Sequence, residues 1–538
     1  MRSPTCWQAG PVQRASQSLL LVLVGAVALA ACSAGPSTRP AVALLDGKAP
    51  PAPTSSAPPA LQSPPLQAPV ADLPWSDCTA STLGKLALTS RQGGLVLDCA
   101  TVSVPLDPKL AGTVPLGLLR ARVASTPRDA APLVLTTGVE QPSTTALATL
   151  AASGSAALLA TRPLVAADRR GVGTSAALTC LKPAQRTAIE DVDASAPADP
   201  LAATLQLGRD ATQACTDAIS PAEAAFDTTH AAEDLEVLRT TWKVDRLSLL
   251  GMGDGAAIAL RYAVLHPEQV ARLVLDSPAV PGADEVSLAK DQAIGAEAAF
   301  AAFATSCAAV NCPAGADPRR AVTDLMQRAR APAPGLVGAG GRRLSAGGIL
   351  RAVREALRTP AGSQGLGPAL ATANAGDPTA LLAYLDQSAG RAVAGNPGTA
   401  IDDSFVGHCS DAALRPTPGQ VSTLVAQWRK DYPLFGADAA ARLLLCLSWP
   451  TPPTAPAVKT LNAVPPALLV SPTADPVVGA AGTPATLTDV QQAGSDGTVL
   501  SWQSTGHPVF LSSPCTRDAV GVYLAEGKRP RPGTICPP

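Results

Sequence analysis

The sequence predicts an α/β protein in which a mostly parallel central sheet is flanked by helices. Three observations carry this prediction. From residue 75 onward, short Val- and Leu-rich runs alternate with Ala-rich stretches of helical period, the pattern of a parallel sheet covered on both faces. The runs are four to six residues long and bounded by Pro, Gly or Asp, as strands buried on both sides require. Finally, Ser248-Leu-Leu-Gly251-Met252-Gly253-Asp254-Gly255 joins an apolar run to a helical stretch through a glycine-rich turn.

The elements follow in order. Arg2 and Arg14 precede the apolar run Leu19 to Ala31. That length fits a signal-peptide core and is too short to span a bilayer. The run ends in Leu29-Ala30-Ala31-Cys32, which resembles a bacterial lipobox and implies cleavage before Cys32 and lipidation of its thiol. Residues 1–31 are therefore expected to be a signal peptide and residues 32–74 a lipid-anchored spacer. Eleven of the 39 residues from 36 to 74 are proline, which favours extended structure and leaves little apolar surface to bury.

Residues 75–284 read as the first part of the domain. Gly94 to Val104 and Val114 to Ala124 form an opening pair of strands. Pro132-Leu-Val-Leu, Pro163-Leu-Val-Ala, Arg246-Leu-Ser-Leu-Leu and Arg272-Leu-Val-Leu follow as buried strands, with helices over Thr229 to Trp242 and Asp254 to Leu265. From 285 to 445 the strand pattern stops and Ala-rich helices such as Ala296 to Cys307 take over, which predicts a helical cap inserted into the fold. The sheet resumes with Ala467-Leu-Leu-Val inside residues 446–538.

Composition narrows the function classes. The 538 residues hold 41 basic and 42 acidic side chains for a formal charge of −1, and only 15% of the chain is charged. No basic footprint for nucleic acid exists, and 3% aromatic content argues against base stacking. Twelve cysteines are present. Cys6 lies in the segment expected to be removed, and Cys32 would carry lipid. The other ten are Cys78, Cys99, Cys180, Cys215, Cys307, Cys312, Cys409, Cys446, Cys515 and Cys536. An even number in an exported chain reads as disulfides, with neighbours along the chain as the expected partners. Metal binding is the rival, but no CxxC occurs and His numbers four. Neither metal nor cofactor is expected.

The strand, glycine turn and helix around residue 253 have the layout of a nucleophile elbow, G-x-S-x-G. Small residues two places either side of the nucleophile let strand and helix approach, and Gly251 and Gly255 supply them. The nucleophile position itself is Gly253, which has no side chain. Asp254 stands beside it and is the alternative nucleophile, but shifting the elbow by one would place Met252 where a small residue is needed. Ser155 and Ser175 lie near glycines without the elbow context and read as turn or helix-end residues. His230, His266 and His408 read as structural or solvated.

Six segments carry a resemblance. Asp168-Arg-Arg-Gly-Val-Gly173, Phe226-Asp-Thr-Thr-His-Ala-Ala-Glu-Asp-Leu and the stretch from Arg261 to Asp276 resemble the secreted tripeptidyl-aminopeptidase group, relatives of proline iminopeptidases. Cys446-Leu-Ser-Trp-Pro450, Thr473-Ala-Asp475 and Thr505-Gly-His507 resemble that group's C-terminal segment. The resemblance implies an α/β-hydrolase fold and cleavage of short peptides or esters by Ser, Asp and His in that order. Asp475 matches the acid and His507 the base; Gly253 does not match the nucleophile. The oxyanion region departs too. The family's glycine-rich loop is here Thr136-Thr137-Gly138-Val139-Glu140, which keeps Gly138 and brings the charge of Glu140 towards a site built for an anion. Asp254 would give the other oxyanion donor.

The sequence therefore leads to an exported hydrolase-fold lipoprotein whose serine chemistry is impaired or lost. Two alternatives stay open: an active peptidase or esterase with another nucleophile, and a non-catalytic binding or structural envelope protein. The expected partner is a short peptide or ester in the cleft, with membrane contact only through Cys32 and none with nucleic acid.

Overall fold

In a computed structural model, residues 63–538 are described except 155, 197–198, 332–334, 339–340, 394 and 451–459. The expected signal peptide, Cys32, most of the spacer and Ser155 lie outside the described residues. The chain runs through β1 (Ser76–Asp77), α1 (Thr79–Lys85), β2 (Leu95–Asp107), β3 (Leu110–Val123), β4 (Leu133–Thr136), α2 (Ser143–Ala152), α3 (Ala156–Thr161) and β5 (Leu164–Ala167). Then come α4 (Pro183–Glu190), α5 (Pro200–Ile219), α6 (Thr228–Trp242), β6 (Leu247–Met252), α7 (Asp254–Leu265) and β7 (Val270–Asp276). A helical block follows: α8 (Glu285–Ala309), α9 (Pro318–Arg330), α10 (Ala346–Ala356), α11 (Pro360–Asn374), α12 (Thr379–Ser388), α13 (Ala400–Asp411), α14 (Pro418–Asp431) and α15 (Gly436–Arg442). The chain closes with β8 (Ala467–Ala474), α16 (Gly482–Gln492), β9 (Gly497–Thr505), α17 (Val509–Ser512), α18 (Pro514–Glu526) and β10 (Ile535–Cys536).

One sheet has the order β1-β2-β3-β5-β4-β6-β7-β8-β9-β10. β1, β2, β3 and β5 pair antiparallel in turn, and every pairing from β5 through β4 to β10 is parallel. All residues of β4, β5, β6 and β7 are buried, which explains their unbroken apolar runs. This arrangement is the α/β-hydrolase fold, with its functional ends at the carboxyl edge of the parallel strands. No helix among the described residues is long and apolar enough to cross a membrane.

Two apolar clusters cover the two faces of the sheet. One packs α6 and α7 through Trp242, Leu238 and Tyr262; the other packs α2 and α18 through Leu147, Tyr523 and Leu524. Two further clusters lie within the helical block. The second of these joins Phe405, Trp428 and Leu444 to Leu181, Ile189 and Ala211, so α4 and α5 belong to the helical layer as well. The sequence offered no signal for that, because which helices share a layer depends on packing partners. The end of the expected spacer is also corrected. Leu73 is buried among Trp242 and Leu238, and the Val70 amide donates to the Trp242 carbonyl at 2.9 Å. A few apolar side chains among the prolines suffice to dock residues 63–74.

The ten cysteines pair as Cys78–Cys99, Cys180–Cys215, Cys307–Cys312, Cys409–Cys446 and Cys515–Cys536.

Candidate functional site

β6 ends at Met252 and α7 begins at Asp254, so Gly253 alone makes the turn. Its φ of 57° and ψ of −124° lie where a side chain costs on the order of 1–3 kcal/mol and glycine costs little. The Gly253 amide donates to the Asp276 carbonyl at the end of β7, 2.9 Å away. A Cβ on Gly251 would collide with the Gly255 carbonyl, and one on Gly255 with the Thr136 carbonyl. The flanking glycines are thus required by close packing of β6, α7 and β4.

His507 and Asp475 come to this turn from β9 and β8. His507 Nδ1 lies 2.9 Å from Asp475 Oδ2, and both side chains are buried. Asp475 is itself fixed by the Val477 and Val478 amides, at 2.8 and 3.0 Å. The loop bearing His507 is held from behind by Asp276, whose carboxylate accepts from the amides of Val509 and Phe510. Burial pushes the Asp276 carboxyl up to about 6.

A Cβ built on Gly253 would sit 2.6 Å from His507 Nε2, so the turn faces the imidazole directly. The same Cβ would overlap Glu140 Oε1. Glu140 reaches in from the loop after β4 and fills the space that the missing side chain leaves. Its Oε1 lies 2.9 Å and its Oε2 2.8 Å from His507 Nε2. Oε1 also accepts from the Asp254 amide at 2.8 Å, and Oε2 from Arg358 Nη2 at 2.7 Å. Arg358 follows α10 and closes the loop from the helical side, because its own carbonyl accepts from the His507 amide at 2.8 Å.

The result is a chain of alternating charge, Asp475–His507–Glu140–Arg358. Burial alone would raise the Glu140 carboxyl, but His507 and Arg358 outweigh it and hold it at about 2. Burial would lower His507, yet Asp475 and Glu140 push it up to about 10. The imidazole is therefore a cation at neutral pH. A general base must be neutral to accept a proton, so in this state His507 cannot act as one.

Gly138 and Asp254 also meet, in an unexpected way. Gly138 has a φ of 65°, and a Cβ there would collide with the Asp254 carboxylate. Asp254 Oδ2 accepts from the Val139 amide at 2.9 Å and from Arg169 Nη1 at 3.2 Å. Burial raises its pKa. The Asp254 side chain is thus directed to Val139 and Arg169, while its amide serves Glu140. Both backbone donors near the turn, Val139 N–H and Asp254 N–H, are taken by carboxylates of the protein itself.

The motifs that carry the resemblance form the frame beneath. Asp168 accepts from the amides and hydroxyls of Thr144 and Thr174. Arg170 pairs with Asp234 and donates to the carbonyls of Pro105, Leu106 and Ala225. Ser175 bridges the Asp168 carbonyl and the Gly117 amide, a fully structural placement. His230 sits between Asp227 and Asp107, and His266 lies by Glu233. The sequence flagged the charge of Glu140 but gave no sign of Arg358, because a cation 218 positions away is brought near only by folding.

Comparisons with known proteins fit this frame. Residues 432–536 match the family model described as TAP-like protein. The chain is 29% identical over 343 residues to the serine protease Hip1 of Mycobacterium tuberculosis, a match covering 57% of this chain and 61% of that protein. It is 26% identical over 388 residues to the tripeptidyl aminopeptidase of Streptomyces lividans, covering 69% of this chain and 70% of the relative. This chain thus spans less than two thirds of the length of Hip1. Among solved structures, the proline iminopeptidase of Mycobacterium smegmatis aligns over 79% of this chain and 97% of its own, at 17% identity and a TM-score of 0.30. Esterase E22 aligns with a TM-score of 0.36 at 11% identity.

Proposed function

Taking as premise that the chain is an α/β-hydrolase related to these serine peptidases and carries their TAP-like segment, we propose that it has given up the serine reaction. On this reading it is an exported, lipid-anchored protein whose former catalytic turn is closed by its own side chains. One observation carries the reading: the Glu140 carboxylate occupies the space between Gly253, His507 Nε2 and the Asp254 amide. Those groups are where a serine oxygen, its base and an oxyanion donor would meet.

Magnitudes favour loss over mere slowing. Removing a catalytic serine costs about a million-fold, roughly 8 kcal/mol of barrier. A blocked oxyanion donor costs another ~100- to 1,000-fold. A carboxylate held at about 2 beside an imidazole that is charged at neutral pH lowers the free energy of the resting site and leaves no base there. Glycine at 253 removes the backbone strain that a nucleophile would have to bear.

A fluorophosphonate probe tests the chemistry. The unaltered protein is expected to remain unlabelled and to hydrolyse short peptide and ester substrates at background rate. Labelling, or cleavage that disappears on His507→Ala, refutes the reading. Leu29-Ala-Ala-Cys32 followed by the proline-rich spacer supports the anchor. An alkyne fatty acid fed to the producing cells should tag the protein, and Cys32→Ser should abolish the tag; a tag that persists rules the anchor out.

A further inference from the structure

The helical layer holds an open cavity of about 240 Å3 between α8, α10, α13 and α15. Its wall mixes polar and apolar surface, with Leu288, Phe405 and Phe435 among the apolar lining side chains. Charged groups also face it, and most are matched. His408 lies 3.1 Å from Glu285, and Arg442 lies 2.9 Å from Asp438. Arg351 and Arg354 are not matched. They lie three residues apart on α10, hence on one face of the helix. Among the described residues no carboxylate pairs with either guanidinium; the one hydrogen bond is a 3.3 Å contact from Arg351 Nε to Ser388 Oγ.

Arg358, just beyond the end of α10, shows what such a group does when an anion is at hand. It takes Glu140 at 2.7 Å. Neither arginine on the pocket wall has a carboxylate within ion-pair distance, although Glu190 and Glu355 act on Arg351, and Asp438 and Glu355 on Arg354, at longer range; both side chains are half-buried. Burial, and then repulsion by Arg442, bring Arg351 down to about 10; burial and Arg442 lower Arg354 as well. The C-terminal end of α10 favours a cation at Arg354, but it supplies no counter-ion, and it does not extend to Arg351. Two half-buried cations side by side repel each other and favour an anion between them, and the aromatic and aliphatic carbon beside them describes a site for an anion with an apolar body.

We propose that this cavity binds a small carboxylate with a short apolar portion, its oxygens taken by Arg351 and Arg354 and its carbon body packed on Phe405 and Phe435. A cavity of ~150 Å3 holds benzene, so by proportion this one takes on the order of ten non-hydrogen atoms, the size of a phenyl- or alkyl-acetic acid. The same carboxylate could arrive free or as the end of a peptide; the limited volume favours the free acid. The proposal is independent of whether Gly253 has ended catalysis, because the site lies in the helical layer and uses neither His507 nor Glu140.

Calorimetry on the full chain tests it with phenylacetate, phenylacetamide, inorganic phosphate and an alanyl-phenylalanine dipeptide. Phenylacetate should bind and raise the melting temperature, and phenylacetamide should bind at least tenfold more weakly. The dipeptide should bind more weakly than the free acid, and tighter dipeptide binding would overturn the assignment to a free acid. Arg354→Gln and Arg351→Gln should each weaken phenylacetate tenfold or more without lowering the melting temperature of the unliganded protein. Equal binding of acid and amide, phosphate binding as tightly as phenylacetate, no heat from any probe, or unliganded variants that melt well below the unaltered protein would each overturn it.

Discussion

Two charged regions of this molecule, the turn at Gly253 and the cavity in the helical layer, differ in completeness. At the turn every charge has a protein partner: Asp475 meets His507, His507 meets Glu140, and Glu140 meets Arg358. In the cavity, Arg351 and Arg354 face the open volume without a carboxylate. The contrast teaches how to separate a site closed by its own side chains from one left open. A buried charge with internal partners is spoken for, and a ligand must displace those partners before it binds. A half-buried charge with no ion-pair partner can gain from a suitable ligand without displacing one.

The comparison can be broken most strongly at the turn. Gly253→Ser alone should stay inert, because the new Cβ overlaps Glu140 Oε1 and His507 remains charged. Gly253→Ser combined with Glu140→Gly frees the Asp254 amide and both sides of the imidazole's outer nitrogen. The double variant should react with fluorophosphonate and hydrolyse activated esters, a gain of several orders of magnitude over the unaltered protein. If the single variant reacts as fast as the double, Glu140 does not block the site. If neither reacts, the loop from 136 to 140 lacks more than a vacancy, since the Val139 amide stays bound to Asp254.

A smaller effect concerns stability. Glu140→Gln keeps the volume but leaves His507 and Arg358 facing a neutral amide. Breaking one partner of a buried ionic group costs about 3 kcal/mol, which urea denaturation at neutral pH reads directly. A loss within about 0.5 kcal/mol, the range of ordinary surface changes, would show the network to be energetically idle.

The smallest effect is in pH dependence. Glu140 falls from an ordinary 4.5 to about 2 on folding. Its stabilisation is therefore full above about 4.5 and lost as pH drops through about 2. His507 rises from 6.5 to about 10, so its contribution is full below about 6.5 and lost as pH climbs through about 10. The difference between unaltered and Glu140→Gln stability curves should shrink at both ends. A difference flat from acid to alkali would mean that the two groups are not paired in solution.

Much of the frame was legible beforehand. Leu133–Thr136, Leu164–Ala167, Leu247–Met252 and Val270–Asp276 are apolar runs because each is buried on both faces, and burial of that kind leaves its mark locally. The elbow was legible for the same reason: the near contact of β6 and α7 demands small residues at 251 and 255 whatever the rest of the chain does. Strand β9, whose burial alternates, gave a weaker signal and escaped notice. The docking of residues 63–74 escaped too, since a few apolar side chains among prolines do not change a composition.

By itself, then, the sequence determined the buried central strands, the cysteine inventory, the absence of a side chain at 253 and the presence of a carboxylate at 140. Only the tertiary structure decided what that carboxylate does. Charge acts over a few ångströms, and whether Glu140 meets His507, Arg358 and the Asp254 amide depends on how four distant segments close together. The same closure placed Arg351 and Arg354 together on the wall of an open pocket, an outcome no local pattern of residues can record.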